Sequence, residues 1–373
     1  MATKVDYNFL GRSGVKVSNL CLGAMTFGST DKGMFPAFYS NPRQLNEEAS
    51  HQILDKFVEL GGNFIDTADI YANGNSEKII GTWLQNKSRD DIVIASKAGI
   101  PMDMTRLNNG VGLSRRHIVE SLGPSLDRLQ TNYLDLYQGH VWDNGTPLEE
   151  TLRTFDDLVR CGKIRYYGFS NVCGWQLQKI ADTAKMLNLN PCITLQQQYS
   201  LCERDSELEA FQVCQNEGIA VLPWSPLKGG LLTDKLKRDV RPDPKESRAG
   251  YLAEKLAEGK NWWSPWDEEK DNDNYWKTID VLKTIAKDKD KSVAQVALRW
   301  LIQQEVVSSV IIGCTSVQQL EDNMGASSGW ELSPEEMKQL SDAAPLRKPY
   351  PYGFISSFAS NRTNPFARSV KMS

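Results

Sequence analysis

The sequence predicts an α/β protein built as a (β/α)8 TIM barrel with long loops at the C-terminal face of its strands. Short apolar and β-branched runs alternate with longer amphipathic stretches, the pattern of βα units repeated around a parallel sheet. Eight such runs can be found. A barrel of this kind needs about 250 residues, so the 373-residue chain has roughly 120 to spare for tails and insertions. We read residues 1–373 as one domain, with insertions near 29–44 and 239–273 and a C-terminal tail from about 346. A doubly wound sheet suits the same alternation, but no G-x-G-x-x-G follows the first run, so the usual pyrophosphate turn of that architecture is missing.

Taken in order, the predicted strands are Leu20–Met25, Phe64–Ala68, Ile92–Ser96, Leu134–His140, Tyr166–Phe169, Thr194–Gln197, Ala220–Pro223 and Ser309–Ile312. Helices are predicted over Glu47–Leu60, Arg115–Leu129, Pro147–Arg160, Gly174–Leu187, Ser206–Glu217 and Val293–Gln304. The last of these puts Val293, Val296, Ala297 and Leu301 on one face, the stripe of a helix lying on a sheet. Both insertions follow strands, at the end where a barrel keeps its active site. The first carries Phe35, Phe38 and Tyr39, the second Trp262, Trp263 and Trp266. These aromatics either pin long loops to the barrel or line a pocket.

Charge points to a small ligand. Lys and Arg number 43 against 47 Asp and Glu, a net charge of −4, which offers no footprint for nucleic acid or a membrane surface. No apolar run approaches the roughly 20 residues of a bilayer span, and a polar stretch follows Met1, so a cytoplasmic protein is expected. The seven cysteines fall in no CxxC or Cys/His ligand spacing, so free thiols and no metal are expected. Sequons at Asn144 and Asn361 are read as chance. The oligomeric state is not legible.

Four residues stand where a barrel does chemistry. Asp66 ends a predicted strand and Tyr71 lies five residues on; Lys97 and His140 end two further strands. Of the other histidines, His51 and His117 fall in predicted helices, and His117, beside Arg115 and Arg116, reads as part of a solvated helix face. Taken singly, each of the four has an ordinary structural use: Asp66 as a loop cap, Lys97 as a solvated strand end, Tyr71 as a packed aromatic. Together and in this order they resemble the Asp, Tyr, Lys, His tetrad of the aldo-keto reductases, and the resemblance covers nearly the whole chain.

The resemblance implies carbonyl reduction, with a hydride from nicotinamide and a proton from Tyr71. A phenol of pKa about 10 is a weak acid near neutrality. Lowering it by about 2 to 3 pH units needs about 3 to 4 kcal/mol, roughly what an ammonium a few Å away supplies at an effective dielectric near 20. Lys97 can therefore activate Tyr71, with Asp66 keeping Lys97 charged. A neutral His140 would orient the carbonyl oxygen.

The cofactor residues come from the resemblance alone. Ser170, Asn171 and Gln196 match the family's carboxamide-binding positions; Gly23, Ala24 and Met25 match the end of its first strand. Trp224 matches the aromatic that stacks on nicotinamide, with Ser225, Leu227 and Gly229 along the pyrophosphate. Gly313, Thr315, Gln319, Asp322 and Asn323 match the segment for adenosine and its 2′-phosphate, with Lys235, Ser247 and Arg248 as phosphate partners. One departure matters: some relatives carry Lys or Arg in the 313–319 stretch, and this chain carries neither. NADPH is expected over NADH on Arg248 and hydroxyl groups.

The substrate pocket is expected to be lined by Phe35, Tyr39, Trp142, Trp262 and Trp263, with Phe38 nearby. Such surfaces suit a sugar-derived aldehyde or an α-keto aldehyde, such as a product of uronic-acid degradation. The alternative is an NADPH-binding regulatory subunit resembling potassium-channel β-subunits. The intact tetrad favours the enzyme.

Overall fold

A computed structural model describes residues 5–260 and 263–359. Among the described residues there are ten strands: β1 (Tyr7–Phe9), β2 (Lys16–Ser18), β3 (Leu20–Gly23), β4 (Phe64–Asp66), β5 (Val93–Ala98), β6 (Leu134–Gly139), β7 (Ile164–Ser170), β8 (Thr194–Gln198), β9 (Ala220–Trp224) and β10 (Val310–Ile312). β3 to β10 pair in parallel in the order β10-β3-β4-β5-β6-β7-β8-β9. The ring closes through a parallel bridge between Val221 and Val307, where Val221 N–H donates to the Val306 carbonyl at 3.0 Å and Ser308 N–H to the Val221 carbonyl at 3.1 Å. All eight predicted strands are present, and helices follow them around the outside.

Two layers of apolar packing hold the barrel. The outer one joins the helices to the outward faces of the strands, with Phe57, Ile118, Phe155, Leu177 and Val296 among the residues it buries. The inner one fills the barrel with Cys21, Phe64, Val93, Ala95, Leu136, Ile193, Ala220, Leu222 and Ile311. Leu10 and Val17 complete it from below; they belong to a hairpin, β1 with β2, that sequence periodicity did not reveal. One end of the interior is therefore dry, and polar chemistry is confined to the other.

The insertions are more ordered than loops of their length need be. Residues Pro36–Tyr39 form one helical turn in the first, and Arg248–Ala257 and Pro265–Glu269 are helical in the second. Trp266 is buried with its ring against Trp276 at 6.3 Å, which pins that loop. The segment from 346 continues into a helix over Tyr352–Ala359. No helix among the described residues is long and apolar enough to cross a membrane. The seven cysteines are free.

Candidate active site

The strand ends bring Asp66, Lys97 and Tyr71 into direct contact. Lys97 is fully buried, and its ammonium donates to Asp66 Oδ1 at 2.6 Å, to the Thr67 carbonyl at 2.8 Å and to the Tyr71 hydroxyl at 3.1 Å. Three donors thus meet three acceptors, which is what a buried ammonium requires. Burial pushes Lys97 toward the neutral form, but Asp66 and Tyr71 outweigh it and hold the group above its ordinary pKa. The far oxygen of Asp66 accepts from Gln196 Nε2 at 2.7 Å and Gln138 Nε2 at 3.5 Å.

Burial is the largest influence on Tyr71, and it raises the phenol above its ordinary value; the charge of Lys97 pulls the other way. The sequence argument expected a net lowering. Removing the phenolate from water outweighs one ammonium whose charge is shared with Asp66. Tyr71 therefore stays protonated well past neutrality, as a proton donor must.

His140 lies one residue beyond β6 with its ring 6.0 Å from that of Tyr71. Its backbone N–H donates to the Ala98 carbonyl and its carbonyl accepts from Asn171 Nδ2, both at 2.9 Å. It is only 8% exposed, and Nδ1 has no partner among the described residues. Burial first, and then the Lys97 charge, lower its pKa well below the ordinary imidazole value, so the ring is neutral at pH 7.

Tyr71 is aimed by a strained turn. Ala72, Asn73 and Gly74 follow with φ of 47, 53 and 86°, a run of left-handed backbone that costs about 1 kcal/mol or more for each residue other than glycine. The next helix, Asn75–Leu84, holds it. Its buried Glu77 accepts from Ser96 Oγ at 2.6 Å and from Arg128 Nε at 2.7 Å, tying the Tyr71 turn to the residue before Lys97. A side chain at Gly81 would meet the Arg128 carbonyl at 2.1 Å, so glycine there lets the two helices touch. Sequence reasoning missed Ser96, Glu77, Arg128 and Gln138, whose partners lie far away along the chain.

The residues assigned to a cofactor mostly rim the same end of the barrel. Ser170 ends β7, Gln196 lies in β8 and Trp224 ends β9. Gln196 turns its amide N–H to Asp66, and its backbone carbonyl accepts from Asn171 N–H at 3.2 Å. Asn171 also donates to Ser170 Oγ at 2.9 Å. Trp224 Nε1 is buried without a partner among the described residues. Gly229 and Gly230 have φ of 68 and 98°, and around Gly230 there is open space. Thr315 donates to Gln319 Oε1 through N–H at 2.9 Å and through Oγ1 at 3.1 Å. These features fit an elongated nucleotide bearing an amide at one end and an anion at the other.

Other assigned residues are already engaged. Ser247 Oγ caps the helix Arg248–Ala257 by accepting from Gly250 N–H at 3.0 Å, and Asp322 Oδ2 accepts from Ser292 Oγ at 3.1 Å. Asn323 is buried, Gly313 and Lys235 are exposed, and Gly23, Ala24 and Met25 run off the end of β3. Among the aromatics, Tyr39 is 4% exposed, its hydroxyl close enough to Tyr71 and Arg248 to feel their charges. Phe35 and Phe38 are half-buried, as is Trp263. Trp142 packs edge-on against Trp175 at 5.8 Å. Trp262 lies outside the described residues. His117 is no solvated face: it is 8% exposed, and burial lowers its pKa. It shares the inward side of its helix with Ile118 and Leu122, while Arg115 and Arg116 point out.

The family model described as Aldo/keto reductase family matches residues 19–345. The chain is 34% identical to an uncharacterised oxidoreductase, YrpG, of Bacillus subtilis, covering 91% of this chain and 96% of the relative. It is 30% identical to a norsolorinic acid reductase of Aspergillus flavus over 96% and 86% of the two chains. To an NADP(+)-dependent aryl-alcohol dehydrogenase of Phanerodontia chrysosporium it is 31% identical, over 91% and 86%.

Proposed function

Starting from the premise that the chain belongs to the aldo/keto reductase family and is an oxidoreductase, we propose a cytoplasmic, NADPH-dependent enzyme, one barrel domain throughout, that reduces an aldehyde or ketone to an alcohol. The observation carrying this reading is the bonded set Asp66, Lys97 and Tyr71 with the neutral His140 beside it. A nicotinamide nucleotide, held by the rim residues, would supply the hydride.

Tyr71 gives its proton to the carbonyl oxygen as negative charge develops there. Lys97 stabilises the phenolate left behind, and Asp66 keeps Lys97 an ammonium. His140 donates a hydrogen bond to the same oxygen and orients it. Ser170, Asn171 and Gln196 would hold the carboxamide, and Trp224 the ring face. Ser225, Leu227 and Gly229 would follow the pyrophosphate, and Thr315, Gln319 and Arg248 the adenosine end.

For the substrate, the aromatic walls Tyr39, Trp142 and Trp263 suit a sugar-derived aldehyde or α-keto aldehyde. The names of two relatives, a norsolorinic acid reductase and an aryl-alcohol dehydrogenase, favour an aromatic carbonyl instead. A panel of aryl, aliphatic, dicarbonyl and sugar-derived aldehydes, followed at 340 nm with NADPH and NADH in parallel, separates these classes. Turnover on at least one carbonyl class is expected. Cofactor binding with no turnover on any of them would overturn the enzyme reading.

A further inference from the structure

The segment expected to receive the 2′-phosphate contains no cation of its own, yet one reaches it from elsewhere. Arg43, in the first insertion, places Nη2 3.1 Å from Thr315 Oγ1 and Nη1 2.7 Å from the Glu246 carbonyl. Both acceptors are neutral oxygens, and Arg43 has no carboxylate partner among the described residues. Its position is built in. The chain turns at Asn41, whose side chain accepts from Arg43 N–H at 2.9 Å, and Leu45 returns to pair with Phe27 beside the end of β3. Thr26 in turn donates to the Cys314 carbonyl at 3.1 Å, so both supports of Arg43 are tied to the strand ends.

A second unpaired guanidinium lies close by. Arg248 stacks on the Phe38 ring at 4.8 Å and, among the described residues, has no carboxylate partner either. Burial lowers its pKa most, the nearby Tyr39 and Tyr71 hydroxyls oppose that, and Arg43 lies near enough to lower it further. Two like charges held together with no counter-ion raise the free energy of the empty protein, and a dianion between them removes that cost.

We propose that Arg43 is a specificity-determining residue that binds the cofactor's 2′-phosphate together with Arg248 and Thr315, supplying from the first insertion the charge that residues 313–319 lack. The inference rests on the NADPH reading above. It joins the two insertions in one task, since Arg43 also anchors the backbone of the second at Glu246. An NADH molecule, lacking the phosphate, would leave both guanidiniums uncompensated.

The test is the dissociation constant for NADPH and NADH, measured by quenching of tryptophan fluorescence in the full chain, for the wild type, Arg43→Ala, Arg43→Lys and Arg248→Ala. Arg43→Ala is expected to weaken NADPH about 10- to 100-fold, the worth of one or two charge-assisted hydrogen bonds, and to leave NADH within about twofold. Arg43→Lys should recover part of the loss, because it keeps the charge without the fork. Equal weakening of both cofactors would make Arg43 a loop brace and overturn the proposal. Unchanged discrimination in Arg43→Ala, with discrimination lost in Arg248→Ala, would overturn it while leaving the NADPH reading intact. A wild type that binds both cofactors equally would end both.

Discussion

Two lysines are buried at the strand-end face of this barrel, and they are surrounded differently. Lys97 is fully buried and meets one carboxylate, Asp66 at 2.6 Å, together with a phenol. Lys228 is 3% exposed and faces three carboxylates, Glu269 at 2.6 Å and Glu203 and Glu268 at 3.5 Å. Both are held above the ordinary lysine pKa by acidic neighbours that outweigh burial. The difference lies in what charge is left over. One carboxylate balances Lys97 but leaves its ammonium bonded to a group that can become an anion during reaction; three carboxylates leave Lys228 nothing to offer a substrate. A buried cation is a catalytic resource only where its surroundings are short of negative charge, and the same shortage marks the half-buried Arg43 and Arg248.

The comparison can be broken by substitution. Tyr71→Phe removes the proton donor and should cost about 10³-fold or more in kcat, with NADPH affinity unchanged by fluorescence titration; substantial residual turnover would take Tyr71 out of the donor role. Asp66→Asn should cost about 10- to 100-fold, because Lys97 then loses the carboxylate it is bonded to and burial drives it toward the neutral form. Lys228→Met should act on stability instead. Leaving Glu269 buried without its cation costs about 3 kcal/mol or more, a fall in Tm of roughly 5 °C by calorimetry for a chain this size.

The smallest expected effect is with pH. Tyr71 is raised above the phenol range and His140 lowered below the imidazole range. Raising the pH removes the donor only above about 10, and lowering it charges His140 only below about 6.5. The reduction rate should therefore be flat between those limits. In Lys97→Met the alkaline limb should move to higher pH, since the ammonium is what pulls Tyr71 down. A limb near pH 8 in the wild type would contradict the assignment.

The eight barrel strands were legible because strands buried on both faces read as unbroken apolar runs. β1 and β2 were not, since β1 leaves Tyr7 and Phe9 exposed and β2 opens on the exposed Lys16, so neither reads as an unbroken apolar run. Asp66, Tyr71, Lys97 and His140 were legible as residue types at strand ends, though their roles came through the family resemblance. What escaped was the support: Glu77 bonds residues 19 and 51 positions away, and Arg43 reaches Thr315 across 272. No local pattern encodes such pairs. His117 was misread because its neighbours Arg115 and Arg116 are exposed while its own side of the helix faces inward.

The most direct test sets the two lysines side by side: kcat for the best carbonyl substrate in Lys97→Met and Lys228→Met, both at a temperature where each variant is folded. A loss of about 100-fold or more in the first, with the second within about threefold of wild type, is the predicted result. Comparable losses in both, or full activity in Lys97→Met, would contradict the account.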